Sequence, residues 1–258
     1  MGDAVIYKAE GRVAALTLNR PDKFNCISSS LLEGIESGIE QAEKDSGIRV
    51  IVIKALGKHF CTGADLKEVK EHSQTRESLD DFIGYGHLVM QKLEASPLPV
   101  IAEVNGYCLA GGLELMMCAD VVIAAEDARI GCQHAQYGLV PGWGGTQRLP
   151  RIVGMRRALD LMYSARWLTA AEALDWGLVN QVVISSSLSS ATFEYADKLA
   201  SRNPEALAAM KQLARQGVDL SLDEALALEQ NLAVPALMSE NVAEGLKAFR
   251  EKREPVFK

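Results

Sequence analysis

What this chain has little of narrows it first. No run approaches the roughly 18 consecutive apolar residues of a membrane-crossing helix. The opening "MGDAVIYKAEGRVAALTLNRP" has no basic segment followed by a long apolar stretch, so no secretory signal is expected. The five cysteines (Cys26, Cys61, Cys108, Cys118 and Cys132) are odd in number and lack any C-x-x-C spacing. A disulfide framework and a zinc site are therefore poor readings, and reduced thiols in a cytoplasmic protein are the expectation. Positive charge is in deficit: a formal net charge of −7 argues against a general nucleic-acid binder, which would carry a basic surplus or stripe. Nucleotide fingerprints are missing too, with no GxxxxGK[ST] and no GxGxxG. An anionic small ligand stays possible, because a few local lysines and backbone N–H groups suffice to hold one.

What is present reads as an α/β protein. Short β-branched runs, "RVAALTL", "RVIVIKA", "PVIAEVNG", "DVVIAAE" and "LVNQVV", are interleaved with "SSLLEGIESGIEQAEKD" and "SLDDFIGYGHLVMQKLEAS", whose apolar residues recur at helical spacing. Ser28 to Ser30 offer N-caps to the first helix, and Leu31, Leu32, Ile35 and Ile39 form its apolar stripe. From about residue 187 the chain turns Ala- and Leu-rich and helical, with a capping-box opening at Ser221 and Glu224. The expected division is a core over residues 1–196 and a helical C-terminal region over 197–258.

Two glycine-rich turns follow strand-like runs: "ALGKHFCTGADLKEV", with Gly57 and Gly63, and "VNGYCLAGGLELMM", with Gly111 and Gly112 ahead of a helix. Backbone N–H groups in such turns are free to bind negative charge. Two converging ones would stabilise a developing oxyanion, where losing a single donor costs about 2.7–4 kcal/mol. Ordinary turn geometry explains the same glycines. Glu114, in the first turn of its helix, could equally serve the helix dipole, and His134 could be a plain hydrogen-bonding histidine. On residue chemistry alone the alternatives stay open.

The segments taken together decide between them. "LTLNRPDKFNCIS", "HFCTGADLKE", "PVIAEVNGYCLAGGLELMMCADVVIAAEDARIG", "GLVPGWGGTQRLPRIVG", "LTAAEALDWGLVNQVV" and "GLKAFREKREPVF" resemble, in order and over nearly the whole chain, the crotonase (enoyl-CoA hydratase/isomerase) superfamily. The resemblance implies a crotonase-like spiral of ββα units followed by a helical trimerisation region. It also implies an acyl-CoA thioester substrate, no cofactor or metal, no nucleic-acid or membrane partner, and a homotrimer or homohexamer.

Carried over residue by residue, the resemblance places oxyanion-hole amides at Ala64 and Gly111 and a first catalytic glutamate at Glu114. The position of the second glutamate falls on His134, with its spacing from residue 114 kept; this is a departure from the pattern. Imidazole can act as base or, protonated, as acid near neutrality; a neighbouring carboxylate favours the imidazolium and burial opposes it. Hydration of an enoyl thioester ranks first, isomerisation second, hydrolysis third, with a non-catalytic acyl-CoA binder as the reading from another class. The coenzyme half is expected on Ala64, Asp65, Leu66 and Lys67, on Lys23 and Phe24, and on Phe249 and Lys252 from a neighbouring subunit. Trp143 is expected to narrow the acyl pocket. Part of the chain also looks like the 4-chlorobenzoyl-CoA dehalogenases, with His87 as a matching histidine. Their nucleophilic aspartate would fall on Gly142, which removes that activity. A Cys132–His134 nucleophile is set aside on the ground that adjacent strand positions face opposite ways.

Overall fold

The computed structural model describes residues 3–258. A six-stranded sheet is built from β1 (Val5–Glu10), β2 (Val13–Leu18), β3 (Val50–Ala55), β4 (Val100–Val104), β6 (Val121–Ala125) and β9 (Gln181–Val183), in the order β1-β2-β3-β4-β6-β9. Only β1 runs antiparallel to its neighbour; the other pairs are parallel. A second sheet joins β5 (Tyr107–Leu109), β7 (Arg129–Gly131) and β8 (Trp167–Thr169). The parallel pairings need crossovers: α1 (Ser29–Lys44), α2 (Leu66–His72), α3 (Arg76–Ala95) and α4 (Gly111–Met116) lie in those up to β6, and α5 (Gly145–Val153), α6 (Met155–Ser164) and α7 (Ala170–Asp175) lie in the one from β6 to β9.

The β-branched runs are buried on both faces, as the central strands of a covered parallel sheet should be. Along β3, Ile51 and Ile53 enter the main core, while Val50 and Val52 enter a smaller one on the opposite face. The main core holds the α1 stripe Leu31, Leu32, Ile35 and Ile39, fully or almost fully buried, with the Ser28 hydroxyl accepting the Leu31 amide as N-cap. The smaller core is closed by α8 (Leu188–Ala200) through Leu188, Ala196 and Ala200. The expected division at 196/197 therefore falls inside one continuous helix that packs on the sheet. After it come α9 (Pro204–Gly217), α10 (Leu222–Leu237) and α11 (Glu240–Glu251), all helical as expected, and Ser221 with Glu224 forms the anticipated capping box. Lys211 and Arg215 of α9 reach Asp120 at 2.7 and 2.8 Å and tie this region to the core.

Two bridges outside the sheets, Ile27 to Ala64 and Cys61 to Cys108, bring both glycine turns to the same place. The approach is close enough to demand glycine at 112: a Cβ there would lie 2.2 Å from the carbonyl oxygen of Cys61. Backbone cannot retreat as a flexible side chain can. Gly112→Ala should therefore lower stability by about 1–3 kcal/mol in urea unfolding; an unchanged midpoint would show that the two turns are not locked together.

Candidate active site

Both expected oxyanion amides sit at this junction. Ala64 follows Gly63, whose φ of +110° favours glycine, and lies in the bridge in which the Ile27 amide donates to Gly63 and the Asp65 amide donates to Ile27. In such a bridge alternate residues point their N–H to one side, so that of Ala64 faces away from Ile27. Gly111 begins α4 after Ala110, an alanine held at φ +50° and ψ −117°. That conformation costs a non-glycine residue of order 1–3 kcal/mol and sets the direction of the next amide. Among the described residues, neither the Ala64 nor the Gly111 N–H donates to another protein group. A Cβ built on Gly111 would be 3.3 Å from the Ala64 nitrogen, so the two loops are in contact there.

Glu114 lies one turn into α4 and is 1% exposed. Its Oε1 accepts the amides of Trp143 (2.8 Å) and Gly145 (2.7 Å). Those amides are presented by a loop that Arg148 holds: its Nη1 donates to the Trp143 carbonyl at 2.8 Å while its remaining nitrogens pair with Glu94. Oε2 is buried and has no hydrogen-bond partner. It faces Nε2 of His134 at 3.6 Å. The fold thus brings together the two residues singled out in the sequence.

Two connected cavities meet at these groups. An inner one of ≈ 190 Å³ is walled by Leu79, Phe82, Ile83, Val140 and Trp143, with Gly111, Glu114 and His134 at its mouth. An outer one of ≈ 360 Å³ runs past Cys26, Thr62, Leu66, Tyr137 and Trp167. Ala64, Val69, His134 and Leu139 line both. A larger cleft of ≈ 580 Å³ between α3 and α9 includes Glu94, Lys211 and Arg215, whose charges are engaged in ion pairs, and contains neither glycine turn.

The geometry is thus an amide pair without protein partners and a buried carboxylate beside an apolar chamber. The model of the enoyl-CoA hydratase/isomerase family matches residues 8–258. The chain belongs to that family. It is 38% identical to the short-chain-enoyl-CoA hydratase of Clostridium acetobutylicum, over 97% of this chain and 95% of that one. It is equally 38% identical to the 2,3-dehydroadipyl-CoA hydratase of Escherichia coli, over 98% of each. The crystal structure of an enoyl-CoA hydratase from Bacillus anthracis superposes with a TM-score of 0.94 at 36% identity and covers 99% of both chains. The spiral expected from the resemblance is thereby the observed fold.

Family membership does not fix every expected residue. Leu66 lines the outer cavity, and Asp65 pairs with Arg20 at 2.8 Å while capping α2, so it is committed to holding the loop. Phe24 is exposed and tilted against His59 at a ring separation of 5.4 Å. Lys23 and Lys67 line neither cavity, and the same is true of Phe249, Lys252 and His87 in the single chain. Trp143 is buried as well as lining the inner cavity, with its ring edge-on to Phe82. One expectation needs correcting. Strand alternation was to keep Cys132 and His134 apart, but residues two positions apart project to the same side of a strand, and the chain has in any case left β7 at Gly131; the Cys132 sulfur lies 3.4 Å from His134 Nδ1. The thiol lines neither cavity. Arg148, Arg20 and the Gly145 amide escaped the sequence reading, since only tertiary contact gives them work. Among the described residues no three His, Cys, Asp or Glu side chains cluster as a metal site requires, and no helix is long and apolar enough to cross a membrane.

Burial governs the charge state of the pair. It raises Glu114 from its ordinary 4.5 to about 7, against the opposing amides of Gly145 and Trp143. Burial also lowers His134 below its ordinary 6.5, so the imidazole is neutral where the carboxylate ionises. A folded-state acid with a raised pKa binds protons more tightly than the unfolded chain, so its contribution weakens stability as pH climbs from 4.5 to about 7. Glu114→Gln keeps an oxygen for the two amides and removes this penalty. Its stability relative to the wild type should rise by about 3 kcal/mol across that window and then level off. Parallel stability curves for the two proteins from pH 4 to 8 would contradict a desolvated carboxylate.

Proposed function

We propose that this protein adds water across the α,β double bond of an enoyl-CoA thioester. The observation that carries the reading is the pairing of one uncommitted carboxylate oxygen with an imidazole nitrogen 3.6 Å away, beside two amides that donate to nothing. A water about 2.8 Å from both groups would sit to one side of the pair, facing the cavity.

The thioester oxygen accepts the Ala64 and Gly111 amides. The water oxygen bonds to Cβ, the π electrons shift onto the thioester oxygen, and Glu114 takes the water proton. The oxyanion collapses, Cα takes that proton back from Glu114, and the carboxylate is restored. One water is added and nothing else is consumed. His134, neutral, hydrogen-bonds the water and fixes its approach. The amides act where charge develops, so they lower the barrier without reorganising.

For the coenzyme, the reading places Asp65, Leu66 and Lys67 along the pantetheine path and Lys23 with Phe24 at its outer end. Phe249 and Lys252 are supplied by a second copy in a homotrimer or homohexamer built through residues 197–258. Exposed Met210, Leu222, Leu226, Val234, Leu237 and Phe249 on α9 to α11 support such an assembly. The lysine contributions should weaken with salt.

Because only one carboxylate lies in the cavity, proton shuttling between carbons, an isomerisation, is the second reading. Product mass separates them: hydration of crotonyl-, branched or aryl-enoyl-CoA adds one water, isomerisation leaves the mass unchanged, and hydrolysis frees the coenzyme. Tight binding with no product from any substrate would make the protein a binder instead.

Two predictions follow from the geometry. Glu114 must be ionised to accept the proton, so kcat/KM for hydration should rise about tenfold per unit as pH approaches about 7 and then plateau. A fall above about 7 in place of the plateau would make His134 the base and Glu114 the acid. Trp143 closes the acyl chamber, so Trp143→Ala should shift preference toward longer or bulkier enoyl groups by one to two orders of magnitude in relative kcat/KM, of the order expected of a reshaped apolar pocket. An unaltered substrate ranking would remove Trp143 from specificity.

A further inference from the structure

No step above uses the contact between Cys132 and His134. Cys132 is 2% exposed and lines neither cavity, and its sulfur lies 3.4 Å from Nδ1 of the imidazole. The other ring nitrogen, Nε2, faces Oε2 of Glu114, which is buried and bonded to nothing else. We propose that Cys132 is a positioning residue: its S–H donates to Nδ1 of His134 and holds the ring in the tautomer that carries its proton on Nε2, aimed at Glu114.

A neutral imidazole has one N–H and one lone pair, and the two ends of this ring meet different partners. Were the proton on Nδ1, the Nε2 lone pair would confront an ionised carboxylate across 3.6 Å. With the proton on Nε2 the same approach is attractive. Nδ1 is then a half-buried acceptor, and among the described residues the Cys132 sulfur is the group within hydrogen-bonding reach of it. Burial pushes that thiol up to about 11, so it keeps its hydrogen at neutral pH. The donor is weak, but it is held two residues away on the same segment, so little freedom is lost in making the contact.

The consequence for catalysis rests on the hydration reading. With Nε2 already protonated, His134 cannot accept the water proton, and Glu114 is the sole proton acceptor at the junction of the cavities. The tautomer itself does not depend on that reading.

Histidine-specific ¹⁵N NMR on the full-length protein without substrate, at pH 8 where Glu114 is ionised, tests it directly. The chain has four histidines, so His134→Gln identifies the resonances. The expected spectrum has Nε2 protonated and Nδ1 bare. Cys132→Ser retains a donor and should retain that tautomer, whereas Cys132→Ala should give a mixture of both. An equal mixture halves the competent population, so hydration kcat in the alanine variant should fall about twofold or more with KM unchanged, and serine should restore it. A wild-type proton on Nδ1, or an alanine variant with the wild-type tautomer, overturns the proposal. Because the spectrum needs no turnover, an enzyme silent on every enoyl-CoA would refute the hydration reading and leave the role of Cys132 separately decided.

Discussion

A carboxylate taken out of water is the constraint on which the rest of this structure turns. Desolvating Glu114 is costly, and two backbone amides, both on Oε1, together with the charge of Arg148 offset only part of the cost when it ionises. Those amides stay in place because Arg148 grips the Trp143 carbonyl with one nitrogen and Glu94 with others, so a charged pair away from the cavity shapes the loop inside it. The remaining oxygen has no partner by construction. A fully satisfied Glu114 would be more stable and chemically inert. Leaving one oxygen bare raises the proton affinity to the range where the group can take a proton and give it back.

The anion side of the site is built by a different device. Neither amide sits within a regular ladder: one follows a positive-φ glycine in an isolated bridge, the other follows a strained alanine at a helix start. Both loops leave the C-terminal ends of parallel strands, β3 and β4, and then meet through the second sheet. The sheet therefore acts as a jig. Its hydrophobic filling on both faces offsets the strain at Ala110, and the close approach at Gly112 leaves the two turns little freedom to drift apart.

Local chemistry explains which parts of this could be read from the chain. The α1 stripe, the Ser28 cap and the β-branched strands declare themselves through periodicity, because burial repeats at the spacing of the element. Glu114 and the two glycine turns were visible as unusual residues, and the ordered family blocks gave them roles. Contacts between segments left no such trace. Arg148 looks like any surface arginine until α3 supplies Glu94, and Arg20 until the loop at Asp65 comes near. The Cys132–His134 contact was misread because alternation separates immediate neighbours, whereas residues two positions apart share a side, and the turn after β7 closes the remaining distance. Residues expected to act from a second copy, Phe249 and Lys252, lie beyond what one chain can display.

The substitution of imidazole for a second acid at position 134 changes how protons are counted. Two carboxylates 3.6 Å apart would repel by about 4–5 kcal/mol at an effective dielectric near 20, so one would keep its proton at neutral pH and stand ready as an acid. With a neutral histidine that repulsion is gone. Glu114 ionises near 7 because burial outweighs the two amides and the Arg148 charge, and above that pH the pair holds no spare acidic proton. In the proposed hydration the hydrogen delivered to carbon is then the one removed from water, carried by a single carboxylate between two bond-making events. Such a shuttle works only while the oxyanion survives long enough for the proton to turn round. In that mechanism two fixed amides and an apolar chamber would lengthen that lifetime, so the departure at residue 134 would place more of the catalytic burden on the glycine turns than a two-acid site does.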